Sequence, residues 1–299
     1  VTEVATRCLK AVRRQKFNYH RRARPEALGG RLSLVKLGCG EKLGPAEKAF
    51  THLREEIPEE LLHAVVEHNR QQNEAAKAKH RLVKCPEPVF PCHKTAKEFA
   101  EANVLLPMAF PEGSPMHPAY GAGHATVAGG CVTMLKAFFE MFEDNHSFVE
   151  RPLVDADGAK IRFTPTHDGT ALEPDPHAPP VDQKTGDDPG VLTIQGELDK
   201  LAANISIGRN MAGVHYYSDY YDSLRMGERI AVGILLEQAP TYGETVEMRF
   251  KSYDGDLITI SGEAGSQPSL TVMDRDGVAV DPRDWWLAHT SGEEMNKDL

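Results

Sequence analysis

The chain has 299 residues, 40% of them hydrophobic, and a formal net charge of −10. That length is enough to bury a real core in one large domain or two small ones. The acidic balance excludes a general nucleic-acid binder, and no apolar run reaches the roughly 18 residues that a membrane-spanning helix needs.

The chain begins without Met, inside a helical pattern, as a processed or truncated chain would, and the sequence given is expected to carry no signal peptide. Its five cysteines, Cys8, Cys39, Cys85, Cys92 and Cys131, lack metal-ligand spacing. A Cys85–Cys92 bridge and buried free thiols are both compatible with that pattern, so the redox compartment stays open. Against the acidic total, residues 7–24 are strongly basic.

Residues 2–24 favour helix, with Pro25 as the stop. On one helix, Arg13, Lys16, His20 and Arg24 recur at three- and four-residue steps and share a stripe. Such a stripe needs compensation, either by carboxylates elsewhere or by an anion. Gly29 and Gly30 are expected to open a loop reaching Pro45. Residues 45–56 and 58–80 read as helices, divided at Ile57-Pro58. Cys85 to Pro91 reads as an extended connection. Thr95 with Glu98 forms a capping-box pattern for a short helix ending near Leu105.

Pro118-Ala119-Tyr120-Gly121-Ala122-Gly123-His124 is a glycine-rich turn feeding a long helix from Ala125 to Phe142. Backbone N–H groups and the positive end of the helix dipole suit an anion at such a place. His124 stands at its mouth and His117 just ahead of it. The expected core face of this helix is Val127, Cys131, Met134, Leu135, Phe138, Phe139 and Phe142, with Gly129-Gly130 admitting close approach of another backbone. His146 is expected at the surface. Residues 151–190 read as an inserted surface loop, with His167 and His177 in solvent.

Residues 195–223 read as helical again, with Leu198, Leu201, Ala202 and Ile205 packed. Arg209 and His215 would not share a face of an unbroken helix; Gly213 offers the break that unites them. Asp219, four residues beyond His215, is placed to orient the imidazole. Arg225 to Gln238 is a further apolar helix. Residues 246–251 and 257–261 flank Tyr253-Asp254-Gly255-Asp256 as a β-hairpin, Thr271-Val272 adds a strand, and the tail from Ser291 is polar. The expected organisation is mainly α: a helical bundle over 1–242 carrying the oxyanion site, with the insertion at 151–190, and a β-hairpin appendage with tail over 243–299.

Lys16, Arg24 and Arg209, with His124, His215, His117 and Arg13, make a set suited to a multiply charged oxyanion, which needs several donors when desolvated. Lys16…Arg24-Pro25, a Gly123-His124 helix head, and Arg209-x5-His215-x3-Asp219 resemble the signature of the vanadium-dependent haloperoxidases, shared with acid phosphatases of the same superfamily. Lys16-Phe17-Asn18-Tyr19-His20-Arg21-Arg22, Arg24-Pro25-Glu26, His117-Pro118-x-Tyr120-x-x-Gly123-His124-Ala125-Thr126-Val127 and Gly208-Arg209-Asn210-Met211 are similar to the bromoperoxidases of red algae and their bacterial relatives.

The resemblance implies a helical-bundle fold and a vanadate cofactor. By the same resemblance His215 is its axial ligand. Lys16, Arg24, Arg209 and the Gly123 N–H hold the equatorial oxygens, and His124 is the acid–base partner. Lys16 polarises the bound peroxide, His117 lies behind the site, and Arg13 lies near the halide path. The implied substrates are hydrogen peroxide, a halide (bromide before chloride) and a small organic acceptor. The implied assembly is a homo-oligomer, and a secreted or cell-surface location is compatible with it. The alternative is an acid-phosphatase-type hydrolase or a non-halogenating homologue. Two features depart from the family. Ala122 stands where the family carries a Ser that contacts vanadate, and the family enzymes are longer, leaving their first helical bundle without a counterpart here.

Overall fold

The computed structural model describes residues 1–78, 91–105, 108–109, 113–144, 148–161, 163–165, 172–174 and 191–288. Cys85 and its proposed bridge, His146, His167, His177 and the tail from Ser291 lie outside the described residues.

In chain order the helices are α1 (Thr2–Arg14), α2 (Pro25–Lys36), α3 (Glu47–Glu56), α4 (Glu59–Ala78), α5 (Ala96–Ala102), α6 (Gly123–Phe138), α7 (Ile194–Met211), α8 (Tyr217–Gln238) and α9 (Pro282–Leu287). The strands are β1 (Phe163–Pro165), β2 (Leu172–Pro174), β3 (Val246–Lys251), β4 (Leu257–Gly262), β5 (Ser269–Met273) and β6 (Ala279–Val280). The chain is thus mainly helical with a small C-terminal antiparallel sheet, ordered β3-β4-β5-β6. No helix among the described residues is long and apolar enough to cross a membrane.

Two compact units emerge: one of 1–14, 121–207 and 220–299, the other of 15–120 and 208–219. The first is built on very close backbone packing. A Cβ at Gly227 of α8 would lie 2.1 Å from the Thr126 carbonyl oxygen of α6, and one at Gly129 would lie 2.2 Å from the Leu224 oxygen. Gly130 faces Cys8 and Val4 of α1 in the same way. The expected close approach at Gly129-Gly130 is therefore present.

The expected apolar stripe of α6 holds in part: Phe142 is buried in the sheet core, and Val127, Cys131 and Met134 pack half-buried against Val4, Cys8, Ala231 and Ile234. The buried residues of α6 are Ala125, Thr126, Ala128, Gly129, Gly130, Val132, Thr133 and Lys136, while Phe138 is 80% exposed and Phe139 is exposed beside it. Glycine and alanine let the helices touch, so the small face goes inward and Phe138 and Phe139 stay out. Leu201 and Ile205 of α7, expected in the core, are likewise exposed, whereas Ala202 is fully buried.

Below this layer β3 and β4 pair from Val246↔Gly262 to Lys251↔Leu257, matching the expected hairpin. Phe250, Ile258, Ile260 and Val272 form its buried face, packed with Met141, Phe142, Val232, Leu235 and Trp285. Alternating burial along a strand supplies that face. The sequence pattern did not reveal α9, whose N-terminus is capped by the Asp281 side chain accepting from Arg283 N and Asp284 N.

In the second unit the helix expected over 2–24 is interrupted. α1 ends at Arg14; residues 15–20 form a wide π-type turn, and Arg21 takes a positive φ of 46°. Residue 24 is extended, as the residue before a proline tends to be, and Pro25 opens α2 instead of only ending a helix. The basic stripe is thereby broken up: Lys16 and Arg24 are buried, while Arg13 and His20 are exposed. Gly29 and Gly30 lie inside α2, not in a loop. Gly29 admits the 104–105 segment, whose Val104 oxygen would lie 3.2 Å from a Cβ there. Ser33 Oγ accepts from Val104 N at 3.0 Å to hold that segment. Leu32, Leu62 and Val104 form the core. The Thr95–Glu98 capping box is present and starts α5.

Candidate active site

Four of the expected site residues, Lys16, Arg24, His117 and His215, meet within the second unit. Their positions follow from three backbone devices. The wide turn at 15–20 and the reversed φ of Arg21 bring Lys16 and Arg24 inward at the two ends of a short segment. The 113–120 loop supplies His117, and Ala119 N donates to Arg22 O at 2.8 Å to fasten the loop there. The third device is the break between α7 and α8: Gly213 takes φ 76°, a conformation favourable to glycine. Val214 N then donates to Arg209 O at 3.2 Å, so the turn carries His215 past the helix end. The break expected at Gly213 is the one observed.

Arg24 is the hub. Its Nε donates to His117 O at 2.8 Å and its Nη1 to Val214 O at 2.7 Å. Nη1 also lies 3.0 Å from His215 Nε2, and Nη2 lies 3.0 Å from His117 Nδ1. Two of these partners are main-chain carbonyls and two are imidazole nitrogens. Lys16 Nζ donates to Pro118 O at 3.0 Å and lies 3.1 Å from His117 Nδ1. His117 Nδ1 thus faces two cationic donors and also lies 3.3 Å from Pro118 O. Burial lowers the Arg24 pKa, partly offset by Asp219 and reinforced by the nearby charge of Arg209. Arg209 is half-buried at the end of α7.

His215 is buried and held from its other side. Its Nδ1 lies 3.0 Å from Asp219 Oδ2, which also accepts from Tyr216 N at 3.0 Å. A carboxylate on Nδ1 makes that nitrogen the donor and leaves the Nε2 lone pair for Arg24. Burial keeps the His215 pKa below its ordinary value, outweighing the bond from Asp219, and Arg24 lowers it further. Burial raises the pKa of Asp219, but the bonds from His215 and Tyr216 N, with the charge of Arg22, lower it overall. The result is a neutral imidazole facing cationic donors.

The other expected residues belong to the first unit. Gly123, half-buried, and His124, exposed, open α6, and Arg13 is exposed in the last turn of α1. Ala122 is the α6 N-cap and is fully buried; its side chain makes no cap bond, and its N–H donates to Ser223 Oγ at 2.8 Å. Three main-chain contributors escape sequence reasoning, the carbonyls of His117, Pro118 and Val214, because main-chain acceptors leave no residue-type signal. Arg22, which donates to Asp219 Oδ1 at 2.9 Å, is hidden among the other basic residues of its segment.

The donor chemistry fits vanadate. Among the described residues no group of three or more His, Cys, Asp or Glu is arranged for a metal cation. Arg24 and Lys16 are donors of the kind a multiply charged oxyanion needs, and His215 Nε2 lies beside Arg24.

No protein-family model matches the chain. It is 44% identical over 263 residues to the vanadium-dependent bromoperoxidase of Corallina officinalis, covering 87% of this chain and 36% of that protein. Identity to the vanadium-dependent bromoperoxidase of Ascophyllum nodosum is 31% over 249 residues, or 82% of this chain and 34% of the relative. Among solved structures, the fold is similar to the homohexameric second vanadate-dependent bromoperoxidase of Ascophyllum nodosum. The TM-score is 0.51 at 25% identity, over 90% of this chain and 41% of that one. The chain spans about a third of the length of the curated relatives it matches. It is thus a homologue of the vanadium-dependent bromoperoxidases and belongs to their family over the 36% of the Corallina enzyme's length that it spans.

Proposed function

We infer that this chain is a vanadate-dependent haloperoxidase that uses hydrogen peroxide to oxidise a halide, bromide before chloride, for transfer to a small organic acceptor, and that it works as a homo-oligomer. The observation that carries this reading is the pairing of buried Arg24 with His215 Nε2 at 3.0 Å while Asp219 occupies Nδ1. Arg24, Lys16 and Arg209 are the residues that would neutralise the oxyanion, and His215 Nε2 the nitrogen that would ligate it. Gly123 and His124 are assigned by family resemblance, as an N–H donor and an acid–base group, and Arg13 as a residue of the halide path. Bound vanadate supplies a Lewis-acid template for peroxide that needs no change of oxidation state.

The chain's own part is electrostatic and positional. Lys16 and Arg24 put positive charge where oxygen charge collects, in a partly desolvated setting that strengthens its effect. Asp219 fixes the imidazole tautomer, and His117 links Lys16 to Arg24 and sets their spacing. The low pKa of His215 keeps Nε2 unprotonated near neutral pH, as a ligand nitrogen must be.

The test is an orthovanadate titration by equilibrium dialysis with vanadium analysis, paired with bromide- and chloride-dependent halogenation of monochlorodimedone. Stoichiometric uptake, and turnover that requires vanadate and peroxide and is lost in His215→Ala, supports the reading. Turnover of p-nitrophenyl phosphate without vanadate, and none with halide, replaces it with the phosphatase alternative.

A further inference from the structure

Arg22 lies two residues before Arg24 and takes no part in holding the oxyanion in the reading above. Its Nη1 donates to Asp219 Oδ1 at 2.9 Å and to Ser218 Oγ at 2.7 Å. Its guanidinium lies over the Tyr216 ring, 4.3 Å from the centroid. Its own carbonyl accepts from Ala119 N at 2.8 Å, in the loop that carries His117. One residue therefore joins the Lys16–Arg24 segment, the His117 loop and the His215 turn.

The two oxygens of Asp219 are divided between distinct tasks. Oδ1 takes the Arg22 bond, and Oδ2 takes His215 Nδ1 and Tyr216 N. Asp219 is fully buried, so an oxygen left without a donor cannot turn to water and must compete for the donors that remain. We propose that Arg22 is a positioning residue: by occupying Asp219 Oδ1 it reserves Oδ2 for His215 Nδ1 and so presents Nε2 of the imidazole to the oxyanion. Tyr216, on the turn that carries His215, and Ser218, in the first turn of α8, hold the guanidinium in place for that task. The Arg22 side chain is 41% exposed, so solvent screens its contribution to overall stability more than its local effect on the carboxylate. The functional half of this proposal rests on the haloperoxidase reading; the orientation half does not.

The test compares Arg22→Met and Arg22→Lys with the unaltered full chain. Histidine side-chain ¹⁵N spectra of the vanadate-free protein report which His215 nitrogen carries the proton. The unaltered chain and Arg22→Lys are expected to show the Nδ1–H form, and Arg22→Met a mixture of tautomers. Orthovanadate affinity is expected to fall about 10- to 100-fold in Arg22→Met, the range typical when a group supporting a ligating histidine is lost, and to recover in large part in Arg22→Lys. Thermal melts show that the variants are folded; should Arg22→Met not fold, Arg22→Gln, which keeps one donor, takes its place. An imidazole signal unchanged from the parent, or an unchanged vanadate constant, overturns the proposal. If the parent itself takes up no vanadate, the haloperoxidase reading falls, and the imidazole signal alone decides the role of Arg22.

Discussion

Arg24 Nη1 and His215 Nε2 face each other at 3.0 Å, and the guanidinium is otherwise bonded to the carbonyls of Val214 and His117 and to the His117 ring. The carbonyls of His117 and Val214 keep the guanidinium in place, while ligation at His215 Nε2 would replace the Arg24 bond to that nitrogen. Preorganised donors of this kind require little rearrangement at the moment of reaction.

Arg24→Met should consequently abolish most vanadate uptake. Truncating one partner of a desolvated, charge-assisted contact costs roughly 2–5 kcal/mol, so affinity should fall by at least about thirty-fold. Equilibrium dialysis measures this directly. Binding within a few-fold of the parent would remove Arg24 from the oxyanion set.

Ala122 caps α6 without a side-chain bond, where the related enzymes are expected to carry serine. In Ala122→Ser the hydroxyl can accept from the first-turn N–H groups, an effect of roughly 0.5–2 kcal/mol on stability. By the family resemblance the hydroxyl would also donate to the oxyanion, a bond worth roughly 1.5–3 kcal/mol. Vanadate should bind about ten- to a hundred-fold tighter, with a higher melting temperature. A titration that overlays the parent would show that this position does not reach the ligand.

Glu228 of α8 is fully buried; Tyr253 N donates to its Oε1 at 3.0 Å, and Oε2 has no hydrogen-bond partner among the described residues. Burial pushes its pKa up to about 7 from 4.5, against the opposing charges of Lys136 and Arg229 and with Asp254 adding to the rise. Below pH 4.5 the folded and unfolded states are both protonated and the group has no net effect. As pH rises towards 7 the unfolded state ionises first, so the folded state loses stability, and the loss persists above pH 7. The loss is at most about 3 kcal/mol. Glu228→Gln keeps the bond from Tyr253 and has no charge to bury. Its advantage over the parent in chemical denaturation should therefore grow between pH 5 and pH 8 and then level off. Parallel stability curves would show that Glu228 ionises normally.

Gly227→Ala should be among the most damaging single-methyl changes in the molecule. The added carbon would lie 2.1 Å from the Thr126 oxygen and 2.6 Å from Gly130 N, both backbone atoms that cannot turn aside. Overpacking typically costs about 1–3 kcal/mol, more where backbone must shift. A lowered denaturation midpoint with little change at Gly30→Ala, which has open space around it, would check the mechanism. Equal midpoints would contradict the close helix crossing.

The sequence by itself determined what depends on neighbours along the chain. The Thr95–Glu98 capping box, the break at Gly213 and the hairpin about Tyr253-Asp254-Gly255-Asp256 were legible because turn, cap and strand preferences act over a few residues. The candidate site residues were legible as residue types in family spacing, and His215 and Asp219, four residues apart, do bond at 3.0 Å, with His215 just before α8 and Asp219 in its first turn.

Only the tertiary structure decided which cations turn inward. Lys16 and Arg24 are buried and Arg13 is exposed because the 15–20 turn widens and Arg21 reverses its φ, departures from helix that a periodic pattern of basic residues conceals. It also decided which face of α6 is core. Apolar spacing favoured Phe138 and Phe139, but contact between backbones is available only where glycine and alanine remove the side chain, and that shorter approach took the interior.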